Sequence, residues 1–92
     1  MKPKKIVLTN NFQKDLKKIA RSGRYSLKDL EATLDLLQHG TELPRKYRDH
    51  ILIGEWDGFR ECHIQPDWLL IYSVTDQEVI LVRTGSHSKL FG

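Results

Sequence analysis

Ninety-two residues, 39% of them hydrophobic and 29% charged, suffice for one core of about two packed layers and exclude both a second domain and a disordered chain. A formal charge of +3 favours an anionic partner, nucleic acid or an acidic protein segment, without choosing between them. The single cysteine, Cys62, excludes an internal disulfide, the longest apolar run (Trp68 to Tyr72) falls far short of the about 20 residues that cross a bilayer, and the opening MKPKKIVLTNNF lacks a secretory apolar stretch, so a cytoplasmic protein with no membrane role is expected.

In chain order, KKIVLT at 4 to 9 reads as a short strand. Asn10 or Asn11 then caps a helix with Phe12, Leu16, Ile19 and Ala20 on its apolar face. Lys14, Lys17, Lys18 and Arg21 repeat on another face as a basic stripe, which is either a solvated surface or a set of phosphate contacts. SGRYS breaks the helix. Ser26, with Asp29 three residues later, opens a second one carrying Leu27, Leu30, Leu34 and Leu37, and Gly40 ends it. Thr41 to Asp49 contains Pro44 and many charges without a period, so a long loop is expected. Three strands follow, at about 59 to 65, 68 to 74 and 79 to 83, with turns at Pro66–Asp67 and Asp76–Gln77. The arrangement is α+β, a short N-terminal strand and two helices packed on an antiparallel sheet of about four strands, in one domain spanning 1–92.

The chemistry concentrates in the last half. His50 in YRDH, His63, Asp67 and Trp68 in HIQPDW, and Arg83 and His87 in RTGSH supply proton carriers and one permanent cation. Cutting RNA without a metal needs a base for the 2′-OH, an acid for the departing 5′-oxygen and a cation for the charged phosphorane. Histidine suits the first two roles near neutral pH, and the arginine fork suits the third. Arg83 is therefore assigned to transition-state stabilisation and His87 to the general acid, with Asp67, His50 or His63 as base or substrate-orienting group. Trp68 and Phe91 are either core or stacking surfaces for a base. Arg60, Arg48 and the stripe lysines Lys14, Lys17 and Lys18 are candidate phosphate contacts. Alternation puts Glu61 and His63 on one strand face, and points Cys62 the other way as a small buried residue and not a nucleophile. No HExxH or paired short-spaced ligand motif occurs, so no metal or cofactor is expected. The reading requires the imidazole of His87, the guanidinium of Arg83 and the carboxylate of Asp67 to meet in one hollow.

Taken together, YRDH at 47 to 50, GEWDGFRECHIQPDWLLIY at 54 to 72 and RTGSHSKLFG at 83 to 92 resemble the YafQ branch of the RelE/ParE toxin superfamily. His50, His63, Asp67, Trp68, Arg83, His87 and Phe91 agree as a set. The resemblance implies a RelE-like, microbial-ribonuclease-like fold. It also implies the toxin of a type II toxin-antitoxin pair, a ribosome-dependent endoribonuclease that cuts messenger RNA in the ribosomal A site. Its implied partners are the ribosome and a cognate ribbon-helix-helix antitoxin of the DinJ or RelB kind, which contacts operator DNA as part of the complex. The rival readings are a non-catalytic nucleic-acid or protein-binding module and a ParE-like gyrase poison.

Overall fold

The computed structural model describes residues 2–92. Its elements are β1 (Lys5–Leu8), α1 (Asn10–Ser22), α2 (Leu27–Gln38), β2 (His50–Ile51), β3 (Arg60–Gln65), β4 (Trp68–Val74), β5 (Glu78–Gly85) and α3 (His87–Phe91). The five strands form one sheet in the order β1-β5-β4-β3-β2. The helical hairpin carries the chain from one sheet edge to the other, and three antiparallel reversals bring it back. As a result β5 arrives beside β1 running in the same direction, with Lys5 opposite Glu78 and Leu8 opposite Leu81. The sheet is thus mixed and five-stranded, one strand more than expected.

The extra strand is the two-residue β2, where His50 pairs with Glu61 and Ile51 with Arg60. The expected long loop before it is partly ordered, because a 3-10 turn at Arg45–Tyr47 buries the Tyr47 ring in the core. Beyond the last expected strand the chain forms α3, capped by the Ser86 hydroxyl, which accepts from the Lys89 N–H.

Helix α1 begins one or two residues earlier than expected. Thr9, not Asn10 or Asn11, has extended backbone and accepts from the Phe12 N–H while donating to the Leu81 carbonyl, so one hydroxyl starts the helix and ties it to β5. Gly23, at φ 67, ends α1 in a left-handed turn that a side chain would strain. Ser26 precedes α2 but makes no side-chain cap; the expected partner Asp29 instead accepts from Gln65 Nε2 at 2.7 Å, tying α2 to β3.

Phe12, Leu16 and Ile19 of α1 and Leu30, Leu34 and Leu37 of α2 pack on one sheet face made by Cys62, Ile64, Trp68, Leu70, Tyr72, Val79 and Leu81. At about 1.5–3 kcal/mol per fully buried large side chain, this layer dominates the stabilisation. Ala20 and Leu27 lie outside it, exposed at the rim of their helices. On β4 the alternate residues Leu69 and Ile71 are also fully buried. That explains why the central strand reads as a continuous apolar run.

Candidate active site

Two of the candidate histidines, His50 and His63, gather around an acid that sequence patterning alone leaves without a role. Glu61 on β3 is only 5% exposed, and its Oε1 lies 3.6 Å from His50 Nε2 and 3.5 Å from His63 Nε2. The pairing of β2 with β3 puts His50 directly opposite Glu61, and the period of two in β3 brings His63 to the same side. Each ring is held from behind. His50 Nδ1 donates to the Arg48 carbonyl at 2.7 Å, and His63 Nδ1 to the Pro66 carbonyl at 3.2 Å. A carbonyl only accepts, so both Nδ1 atoms carry hydrogen and both Nε2 atoms face the shared carboxylate. Any imidazole protonated at Nε2 finds a buried counter-charge already in place.

Arg48, which supplies one of those carbonyls, is the only non-glycine residue with positive φ among the described residues, at φ 49. Its left-handed backbone ends the 3-10 turn and aims the carbonyl at His50. Such strain costs on the order of 1 kcal/mol and collects at functional sites.

Asp67 sits in the β3–β4 turn, where its Oδ1 accepts from the backbone N–H of His87 at 3.0 Å. This bond joins the turn that also holds His63 to the start of α3. It orients the His87 backbone, while the exposed imidazole packs on the Phe91 ring at 5.2 Å. Phe91 is 37% exposed and free to present a face.

Arg83 takes another course. A bulge in β5 inserts Val82 and shifts the register, so that Arg83 lies opposite Ile71, which lies opposite Glu61, which lies opposite His50. Its guanidinium turns to α1, donating from Nε and Nη2 to Asp15 at 2.6 and 3.2 Å, and Asp15 also accepts from the Thr84 N–H. These hydrogen bonds raise the Arg83 pKa further. Among the described residues no hydrogen bond or ion pair links Arg83 to Asp67 or to a histidine. The bulge, which alternation along an unbroken strand does not anticipate, brings Arg83 into the cross-strand row of Glu61 and His50, while its guanidinium bonds to Asp15 and the Asp67 carboxylate meets the backbone N–H of His87 and not its imidazole.

Trp68 is not available to a base. It is fully buried, its Nε1 donates to Thr84 Oγ1 at 2.8 Å, and its ring stacks on Tyr25 at 4.8 Å. Core packing claims it because β4 is the central strand. Arg60 is likewise committed, donating to both oxygens of Asp49 and set further above its ordinary pKa by that bond, while the Tyr72 hydroxyl donates to Asp49 as well. Arg48 and the lysines Lys14, Lys17 and Lys18 are exposed. Cys62 is buried and burial pushes its thiol pKa up, so it is no nucleophile at ordinary pH.

A hollow of about 560 Å³ opens beside His63 between α2, the 3-10 turn and the stretch of β3 beyond β2, and includes Lys46 and Arg48. No group of three or more His, Cys, Asp and Glu side chains among the described residues is placed to hold a metal ion, and no helix is long and apolar enough to cross a membrane.

Residues 4–92 match the family model for the bacterial toxin of type II toxin-antitoxin systems, YafQ. The mRNA interferase toxin YafQ of Escherichia coli K12 is 40% identical over 88 residues, 95% of each chain. A copper-bound mutant toxin from Helicobacter pylori superposes with a TM-score of 0.89 at 44% identity, covering 95% of this chain and 98% of that one. The toxin fold also matches the E. coli DinJ-YafQ toxin-antitoxin complex, with a TM-score of 0.85 at 37% identity over 98% of this chain and 99% of that one. On the match over residues 4–92 and 40% identity across 95% of both chains, this chain belongs to the YafQ family of type II toxin-antitoxin toxins.

Proposed function

We propose that this chain is a cytoplasmic endoribonuclease that cuts messenger RNA by proton transfer between fixed histidines, without a metal. The observation that supports it is the pair His50 and His63, each anchored at Nδ1, with both Nε2 atoms turned to the buried Glu61 beside the Asp67–His87 link. One imidazole of the pair takes the 2′-OH proton, and Glu61 stabilises the imidazolium that forms, as a carboxylate does in other histidine relays. The 2′-oxygen then bonds to phosphorus while the bond to the 5′-oxygen breaks, and His87 protonates that leaving oxygen. The products are a 2′,3′-cyclic phosphate and a 5′-hydroxyl. Arg83, aimed by Asp15 and with its Nη1 donors unbonded among the described residues, answers the charge on the phosphorane, and Phe91 supports a neighbouring base. Arg48 and the exposed lysines Lys14, Lys17 and Lys18 add backbone contacts.

In this reading the substrate is presented in the ribosomal A site, and a DinJ-like antitoxin holds the toxin inactive, as the complex of the E. coli relative suggests. The deciding experiment compares purified chain on translating ribosomes, in Mg²⁺ with a zinc-selective chelator, and on free message with the same chelator. Cleavage on ribosomes that persists in chelator and vanishes in His87→Ala supports the reading. Growth arrest with intact messages and damaged DNA would move the chain to gyrase poisoning, and arrest with neither would leave a binding module.

A further inference from the structure

A second hollow, of about 260 Å³, lies between α1, the turn after it and the β5–α3 junction. Lys18, Arg24, Arg83 and Lys89 line it, with Asp15 as its one acid. Asp15 is already taken by Arg83 and the Thr84 N–H. Among the described residues, Lys18, Arg24 and Lys89 form no ion pair, so three cations converge on the hollow unneutralised. At the end of α1 the Ser22 hydroxyl donates to the Ile19 carbonyl, which blunts the negative helix end facing this space. One wall is the half-buried Tyr25 ring, backed by Trp68, which Thr84 locks in place. Cations beside a rigid aromatic wall are the equipment of single-stranded nucleic-acid grooves, whereas an acidic peptide would have no use for the ring. Ser86 lines the hollow and His87 follows it in the chain, so the space adjoins the proposed centre.

We propose that this hollow is a second RNA site, with Lys18, Arg24 and Lys89 holding a phosphodiester next to the one that is cut and Tyr25 serving as its stacking wall. The proposal rests on the nuclease reading for the identity of its ligand. Its test is binding of a short, fully 2′-O-methylated RNA, which cannot be cleaved, to the whole chain by fluorescence anisotropy across a salt series. Lys18→Gln, Arg24→Gln and Lys89→Gln are each expected to weaken binding about fivefold at low salt. The log–log salt slope should become shallower by about 0.7 for each phosphate that is no longer neutralised. Melting curves matching the unmodified chain confirm that the variants are folded.

Variants that bind with unaltered affinity and slope would overturn the proposal. So would an acidic peptide such as polyglutamate that binds these variants more weakly while the RNA does not. The two readings separate cleanly. If the unmodified chain cuts message but the three variants bind RNA normally, the hollow is refuted and the nuclease stands. If the variants no longer bind RNA and the unmodified chain cuts nothing, the hollow stands and the nuclease reading falls.

Discussion

Two polar clusters flank the central strand, and they are built to opposite rules. On the β1 side, Asp15, Arg83, Thr84 and Trp68 form a closed chain of bonds of 2.6 to 3.2 Å, with the tryptophan fully buried and the acid serving three donors. On the β2 side, His50, His63 and Glu61 are tied to the backbone only at Nδ1, and their reactive edges stand 3.5 to 3.6 Å apart. That spacing is longer than a good hydrogen bond and shorter than charges ignore. The first cluster holds the sheet to α1 and fixes the direction of the Arg83 guanidinium. The second holds groups in place without satisfying them, which is the condition for chemistry.

The sharpest way to break this contrast is at the acid. Glu61→Gln keeps the shape but removes the charge, and is expected to lower the cleavage rate about 10²-fold or more and to move its pH profile, while His87→Ala costs about 10² to 10⁴-fold. Melting temperatures near that of the parent chain would show that neither residue acts through the fold. The opposite pattern belongs to Trp68→Ala, expected to destabilise the chain by about 3–5 kcal/mol in denaturant titration. Asp15→Asn should cost about 1.5–3 kcal/mol by weakening bonds to the Arg83 guanidinium and the Thr84 N–H; unchanged stability would move Asp15 out of the structural cluster.

Alkaline stability gives a smaller effect. Burial raises the pKa of both Cys62 and Tyr72, whose ordinary values are 9.0 and 10.0. The folded state keeps these protons and the unfolded chain releases them, so stability is complete below pH about 9 and falls as pH rises, by up to about 1.4 kcal/mol per pH unit for each group. Cys62→Ala should remove the part of the decline that begins near 9. The smallest expected effect is Ile53→Ser, at a side chain 85% exposed, within about 0.5 kcal/mol of the parent.

Much of this was legible in the chain. Periodicity placed both helices and β3, β4 and β5 within a few residues, and alternation put Glu61 and His63 on one face and sent Cys62 inward. What stayed hidden depends on contacts distant in sequence. Thr9 wins the cap because Leu81, 72 residues away, gives its hydroxyl a second partner. Asp29 leaves its expected cap for Gln65, 36 residues away. β2 is too short to carry a pattern, and only its pairing with β3 turns His50 into a partner of Glu61.

Residue types and their local period were enough to give an α+β domain and to single out its candidate histidines, because short-range sterics and side-chain chemistry are written in neighbouring residues, and the motifs around those histidines carried the resemblance to the YafQ toxins. Tertiary structure alone decided that Trp68 is core, that Arg83 is held by Asp15, and that two imidazoles share one buried carboxylate. Those outcomes turn on one inserted residue in β5 and on which strand edge meets which helix, and no local signal specifies either.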